Sequence, residues 1–211
     1  MATATMSMNQ VIHAAVRRDF ARLEDALGRP EATGPERARA LGRAFEHLAA
    51  ELHRHHTSEE TIVLPLLRSL AVPEEICGHV ISEHADMVRA LTAAEAAVTD
   101  YVRSPDEDTR TAALAAVRTA AQVTATHLDH EEAELEPVMA TLYDTRGWTA
   151  AEKELRKAPP RVTGDFVGWV SDGASPAVQD AIDAHIPRPV QVVYGRFLGH
   201  RYRSRVAPVW R

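Results

Sequence analysis

Apolar residues recur every three or four positions along most of this 211-residue chain, which is the spacing of helices that bury one face. The spacing predicts four long helices, over about residues 7–27, 35–70, 73–103 and 105–143. Glycine or proline near each boundary favours a turn there. Ser104 is expected to cap the fourth helix, with acidic residues in its first turn. The chain is therefore predicted to be all-α.

The second predicted helix aims polar residues into its own apolar face. Five leucines mark that face, namely Leu41, Leu48, Leu52, Leu66 and Leu70. At 100° per residue, Glu59 falls at the centre of the face and His55 lies about 40° away. The fourth helix repeats this relation, with Glu131 near the centre and His127 about 50° off. Pro65 is expected to kink or loosen the last turns of the second helix.

After the four long helices the pattern changes to shorter stretches, which predicts a helical C-terminal extension over residues 146–211. Residues 149–152 have the composition of a capping box for a short helix. Ser175 is expected to cap a second short helix, and a last helix is predicted over residues 189–202. The chain is thus predicted to consist of one helical domain, residues 1–145, and an appendage that packs on it.

Histidine, glutamate and proline positions repeat along the chain. Four residues, His55, Glu59, Glu60 and Pro65, recur 72 positions later as His127, Glu131, Glu132 and Pro137. A further histidine precedes each set. His13 lies 42 positions before the first set, and His84 lies 43 positions before the second. The chain therefore contains an internal duplication of a helix pair.

The duplicated residues have the composition of a dinuclear metal site. Six of them are predicted to point inward, namely His13, His55, Glu59, His84, His127 and Glu131. A charged group in a core costs several kcal/mol unless it is paired or binds a metal. Four neutral imidazoles cannot neutralise two buried carboxylates, whereas two cations can. Mixed imidazole and carboxylate ligands suit iron, manganese or zinc, and a count of octahedral positions leaves about two open for a small molecule.

A ferritin-like di-iron oxidase is the alternative plan for a metal site among four helices. That plan uses Glu-x-x-His motifs, with the glutamate first and a three-residue spacing. This chain has His-x-x-x-Glu instead, and it lacks the additional inward glutamates expected on the first and third helices. The motif therefore argues against the ferritin-like alternative.

With these motifs the chain resembles the hemerythrin-type, HHE cation-binding domain over roughly residues 8–145. The resemblance rests on His13, on residues 55–60 with Pro65, on His84, and on residues 127–132 with Pro137. It implies an up-down-up-down four-helix bundle and two iron ions, Fe2+ or Fe3+, bridged by oxide or hydroxide. By this likeness Glu59 and Glu131 bridge the irons, and the histidine ligands are His13, His55, His84 and His127.

The third predicted helix departs from the oxygen-carrying hemerythrins, which have two histidines one turn apart on that helix. Here Val80 and Val88 lie one turn before and one turn after His84. Another group must fill the gap, and the candidates are Glu83, His56, His79 or water. Taken alone, His56 is interpreted as a surface or interface histidine. Reversible oxygen carriage is therefore less expected than sensing, or than redox chemistry with peroxide or nitric oxide.

Acidic neighbours of the predicted ligands are expected to support them. Glu60 and Glu132 each follow a predicted bridging glutamate, and should face solvent or hydrogen-bond a ligand histidine from outside the centre. In an enzyme-like role, Glu83 or Tyr143 would relay protons.

Composition and charge limit the location and the partners. No apolar run reaches about 18 residues, so no membrane span is expected, and residues 1–8 lack the features of a signal peptide. With one cysteine, Cys77, a cytoplasmic protein is predicted. The net charge of −6 is unevenly distributed along the chain. Residues 188–211 hold six arginines and no acid, so residues 1–187 carry a net charge of −12. This basic segment is expected to fold back on the acidic part, or to bind an acidic partner other than nucleic acid.

The leading hypothesis is a non-heme di-iron protein that binds dioxygen, peroxide or nitric oxide at an open centre. Its enzyme-like form would decompose peroxide as a catalase does. A second hypothesis is an oxygen, redox or iron sensor that signals through residues 146–211 to a protein partner. A third is iron storage without turnover.

Overall fold

The computed structural model describes residues 6–211, so the first five residues of the predicted helical domain lie outside the described part. All regular structure in this range is helical, without a strand, and the all-α prediction is confirmed. The four predicted long helices are present as α1 (Met8–Leu27), α2 (Pro35–Ser58), α3 (Leu64–Ser69), α4 (Glu74–Arg103), α5 (Glu107–His130) and α6 (Glu136–Ala140). None of the helices described has the length and apolar character that crossing a membrane requires.

The remaining helices are shorter: α7 (Arg146–Leu155), α8 (Pro160–Ser171), α9 (Pro176–His185), α10 (Arg188–Gln191) and α11 (His200–Arg205). The capping box predicted at residues 149–152 is wrong, because Thr145 caps α7 and its hydroxyl oxygen accepts from the Trp148 N–H at 3.1 Å. Ser175 caps α9 as predicted, accepting from the Val178 N–H at 3.3 Å.

The last helix predicted over residues 189–202 is interrupted. A wide, π-helical stretch occupies Val192–Leu198, and the helix breaks at Gly199 before α11 begins. Helix α8, which the sequence pattern did not predict, packs against this break. A Cβ atom on Gly164 of α8 would lie 2.6 Å from the backbone nitrogen of Gly199, so only glycine allows this approach.

Local hydrogen bonds fix where α1 and α5 begin. The Ser7 hydroxyl accepts from the Gln10 N–H at 3.1 Å, and the Gln10 side chain accepts from the Ser7 N–H at 3.0 Å. Helix α5 is capped by Asp106, whose carboxylate accepts from the Thr109 N–H at 2.9 Å. The predicted cap at Ser104 is wrong, because its hydroxyl donates to the Asp106 carboxylate at 2.9 Å instead.

Two wide turns interrupt the long helices at matching positions of the duplication. Glu59–Val63 joins α2 to α3, and Glu131–Leu135 joins α5 to α6. In each turn, the N–H of the residue before a proline bonds to the glutamate carbonyl five positions back. Pro65 and Pro137 follow directly and have no N–H to continue the ordinary ladder. Helix α6 then ends at Ala140, three residues before the predicted end.

The wide turn changes which leucines reach the core. A π-turn adds one residue to the helix, so every later side chain is rotated relative to an uninterrupted α-helix. Leu64 and Leu67 are fully buried, whereas Leu66 is half-buried and Leu70 is 44% exposed. The prediction that Leu66 and Leu70 continue the apolar face is therefore wrong.

The predicted ligands lie between two apolar clusters. Helix α1 packs against α2 and α5, and α4 packs against the same two helices. The smaller cluster lies beyond the wide turns and consists of Val63, Leu64, Leu67, Cys77, Val80, Leu135 and Met139. The larger cluster includes Leu52 and Leu128, which precede the turns. Polar residues at 55–59 and 127–131 occupy the helices between these clusters.

The C-terminal helices contribute to the larger cluster. The Trp169 indole N–H donates to the buried carboxylate of Asp19 on α1 at 2.9 Å. Tyr202, Val206 and Val209, from the basic end of the chain, are buried in the same cluster. These contacts agree with the predicted fold-back of the basic segment, while the division into residues 1–145 and 146–211 stays a prediction.

Candidate metal centre

Seven titratable side chains converge between the two apolar clusters. Helices α1, α2, α4 and α5 and the two wide turns supply them. None is more than 8% exposed, and they are His13, His55, His56, Glu59, His84, His127 and Glu131. The structure thus brings together all six predicted ligands and adds His56 to them.

The donor atoms form two groups that share one carboxylate. In each group the donors lie within 4.8 Å of one another. One group contains His13, His55, Glu59 and Glu131, and the other contains His56, Glu59, His84 and His127. Either group offers the mixed nitrogen and oxygen donors that cations such as iron, manganese and zinc accept.

The two glutamates lie between histidines of different groups. The Glu59 Oε1 atom is 3.2 Å from His55 Nε2, and its Oε2 atom is 3.5 Å from His84 Nε2. The Glu131 Oε2 atom is 3.2 Å from His13 Nε2 and 3.6 Å from His127 Nε2. Each carboxylate therefore faces both groups, as a bridging ligand would.

Three of the histidines are held from outside by carboxylates. The Nδ1 atoms of His13, His84 and His127 lie 2.8, 2.8 and 3.0 Å from oxygens of Glu132, Glu60 and Glu83, respectively. A carboxylate only accepts, so each Nδ1 carries the hydrogen, and in the neutral imidazole that binds a metal each Nε2 has a lone pair. The lone pairs therefore point into the cluster, which is how metal-binding histidines are oriented.

Six buried atoms of the cluster have no hydrogen-bond partner among the described residues. They are Nε2 of His56, His84 and His127, both carboxylate oxygens of Glu59, and Oε2 of Glu131. A buried polar atom left without a partner costs about 1–3 kcal/mol. Nitrogen lone pairs and carboxylate oxygens cannot satisfy one another without added hydrogens or a cation. The residues present therefore fit a metal centre.

Burial and mutual contact shift the pKa values of the clustered side chains in different directions. Burial, and then the neighbouring Glu131 carboxylate, raise the pKa of Glu59 well above its usual range. Burial opposes ionisation of Glu131, but the charged His13 imidazole, whose Nε2 atom lies 3.2 Å from Oε2, outweighs burial and lowers the pKa of Glu131. Burial lowers the pKa of His55 to about 3, and it also lowers that of His56. A bound cation would thus displace a proton from Glu59.

His56 is the largest correction to the sequence interpretation. The sequence taken alone predicts a surface or interface histidine at this position, yet His56 is 5% exposed and its ring stacks on that of His84 at 4.3 Å between centroids. Its position 60° from the centre of the apolar face directs it toward α4 and α5. Among the groups suggested for the gap on the third helix, His56 lies with the predicted ligands. Glu83 contacts His127 from outside, and His79 is half-exposed.

Three residues around this cluster and its outer carboxylates were not predicted from the sequence, namely Asn9, Arg17 and Glu136. Asn9 donates from Nδ2 to Glu131 at 3.1 Å and to Glu136 at 3.3 Å. Arg17 donates to Glu132 at 2.6 Å. The Tyr143 hydroxyl, considered as a proton relay, donates to Glu136 at 2.8 Å. Asn9 and Arg17 lie one turn before and after His13 on α1, which is the signal that could have indicated them.

Comparison with known proteins agrees with this geometry. Residues 10–139, more than half of the chain, match the family described as the Hemerythrin HHE cation binding domain. The matched segment contains all seven converging side chains and the outer carboxylates Glu60, Glu83 and Glu132. No curated protein matches the chain, and no solved structure does.

Proposed function

Because the chain belongs to the Hemerythrin HHE cation-binding family, we propose that it is a non-heme di-iron protein whose open centre binds dioxygen, peroxide or nitric oxide. We further propose that residues 1–145 form an up-down-up-down four-helix bundle, with residues 146–211 as its extension. The packing of α1 against α2 and α5, and of α4 against the same two helices, supports this arrangement.

The six unpartnered buried atoms carry the proposal of two metal positions. His13 and His55 would hold one ion, and His56, His84 and His127 would hold the other. Glu59 and Glu131 would bridge, since each lies beside histidines of both groups. In this assignment His56 takes the place left by the missing second histidine of the third helix.

Bound iron would supply the redox change and the open positions for a small molecule. The chain's own residues hold the imidazoles and manage protons. Glu60, Glu83 and Glu132 keep hydrogens on the Nδ1 atoms. Asn9 and Glu136 connect Glu131 to the hydroxyl of Tyr143, a residue that is 36% exposed. We propose that Glu136 and Tyr143 hold a proton on the solvent side of Glu131, and that the Asn9 amide stabilises both carboxylates.

Elemental analysis of the purified chain after anaerobic iron loading tests this function. We expect about two irons per chain in the parent protein and a marked loss in Glu59→Ala, because that carboxylate serves both positions. A chain that holds no metal after loading would contradict the ligand assignment. Gas evolution from peroxide, abolished by Glu59→Ala, would support the peroxide-decomposing form.

The role of His56 has its own test. We expect His56→Ala to lower iron content toward one per chain, because it removes one of three imidazoles at the second position. His53→Ala is the matched control, since His53 is three residues away on the same helix and exposed. Equal iron content in both variants would show that His56 is not a ligand.

A sensor is the second candidate, and one contact favours it. Asp19 lies on α1, six residues after His13, and accepts the hydrogen bond from Trp169 of the extension. A change at the centre could therefore reach residues 146–211 through α1. Limited proteolysis distinguishes this role: metal-dependent protection of residues 150–211, without peroxide turnover, would support sensing. If neither protection nor peroxide turnover appears, and iron exchanges freely with a chelator, the result would support storage.

A further inference from the structure

A second set of metal-binding side chains lies at the surface beside the buried centre. His79 and Glu83 come from α4, and His130 comes from the end of α5. We propose that these three residues, here called the surface trio, form a third cation site for a divalent transition-metal ion such as Zn2+. Only its link to the buried centre rests on the proposed function.

The donors of the surface trio are already close together. Their ligand atoms lie within 4.8 Å of one another. The Glu83 Oε1 atom is 2.5 Å from His130 Nδ1 and 3.4 Å from His79 Nε2. The two imidazole rings lie 5.3 Å apart and are 30° from parallel. A cation would therefore need only small side-chain movements to contact all three.

The donors of the surface trio lie on two helices, α4 and α5. His79 and Glu83 are four residues apart on α4 and so share one face of that helix. His130 reaches them from α5, which packs along α4. A further carboxylate, that of Glu134, lies 3.8 Å from His79 Nδ1. Two imidazoles and a carboxylate suit zinc and its neighbours, and their partial exposure leaves a position for water.

Glu83 joins the surface trio to the buried centre. While Oε1 faces the surface histidines, its Oε2 atom accepts from Nδ1 of His127 at 3.0 Å. The Nε2 atom of the same His127 ring points into the buried cluster. A cleft of about 530 Å³ between α4 and α5 is also lined by Glu83 and His127. An ion on the trio would thus lie one carboxylate away from a proposed ligand.

A Zn2+ titration by calorimetry tests the third site. The protein, iron-loaded beforehand, should bind one additional Zn2+ equivalent. We expect His79→Ala and His130→Ala each to weaken this binding at least about tenfold, and the double variant to lose the equivalent. His53→Ala, at another exposed histidine, should bind as the parent does.

The comparison between the parent and the double variant decides the result. Iron content and circular dichroism of the double variant should match the parent, because the changed side chains lie outside the buried groups. The same number of Zn2+ equivalents in both would overturn the proposal. A difference of one equivalent would support it whatever metal occupies the buried centre, so its failure is distinguishable from failure of the di-iron function.

Discussion

At the scale of single residues, the geometry of the centre depends on both ring nitrogens of each imidazole. In His13 and His84 the Nδ1 atom is held at the same 2.8 Å distance by a glutamate from the other half of the duplication. The inner Nε2 atoms of His13 and His84 then face the carboxylates of Glu131 and Glu59, respectively. The outer glutamates therefore fix the orientation of these two proposed ligands.

Removing one outer glutamate should weaken metal binding without unfolding the chain. We expect Glu60→Ala to lower metal affinity by about 10–100-fold, because His84 loses the acceptor that orients it. Glu75→Ala, at an exposed glutamate of α4, is the control and should bind as the parent does. Competition with a chromogenic chelator measures the ratio. An affinity ratio near one would show that Glu60 does not support His84.

The residues that sequence reasoning found and missed have a physical explanation. Glu59 and Glu131 were predictable because helical angle and the 72-residue repeat both indicated them. His56 was only one of several candidates for the gap on the third helix, since its place away from the face centre leaves its environment to neighbouring helices. Asn9 and Glu136 have apolar counterparts in the other half of the chain, so the repeat did not indicate them.

At the scale of elements, the wide turns are the feature that periodicity could not predict. The sequence predicted the helices and their approximate ends, because their stripes and breakers are strong. That prediction used 3.6 residues per turn throughout, and Pro65 indicated only that the helix would be distorted near it. Both turns begin at a glutamate that is proposed to bridge the metals, and π-turns occur often at functional sites. Their position therefore agrees with the proposed centre.

A pair of leucine variants tests the shift that the first turn produces. Leu67 is fully buried and Leu70 is 44% exposed, whereas an uninterrupted α-helix would place Leu70 on the apolar face. We expect Leu67→Ala to lower the free energy of unfolding by about 2–5 kcal/mol. Leu70→Ala should change it by about 0.5 kcal/mol or less. Urea unfolding measures both, and a larger loss in Leu70→Ala would contradict the wide turn.

At the scale of the whole molecule, the C-terminal helices and α2 meet around His47, whose side chain is 15% exposed. The ring of His47 lies 5.9 Å from that of Trp169 and 5.0 Å from that of Tyr202, between centroids. Burial, and then the charge of Arg54, lower the pKa of His47 to about 4. The contact between the extension and the preceding helices therefore favours a neutral imidazole.

Acid should weaken this contact in the metal-free protein. The unfolded chain takes up a proton near pH 6.5 while folded His47 stays neutral to about pH 4, so stability falls as pH decreases between these values. By pH 5 the loss from His47 should be about 2 kcal/mol. Urea unfolding at pH 7 and pH 5 should show a smaller acid loss in His47→Gln. Other buried histidines contribute to both proteins, and identical losses would contradict the role of His47.

The cross-pairing of the outer glutamates has a consequence for how such a centre can arise. His13 of the first half pairs with Glu132 of the second, and His84 of the second half pairs with Glu60 of the first. Reciprocal exchange of this kind is the signature of a twofold-symmetric dimer, here contained in one polypeptide. A gene for a single helix pair would need only self-association to make the symmetric form. Fusion into one chain then lets each half change alone, as His56 opposite Leu128 in the repeat already illustrates.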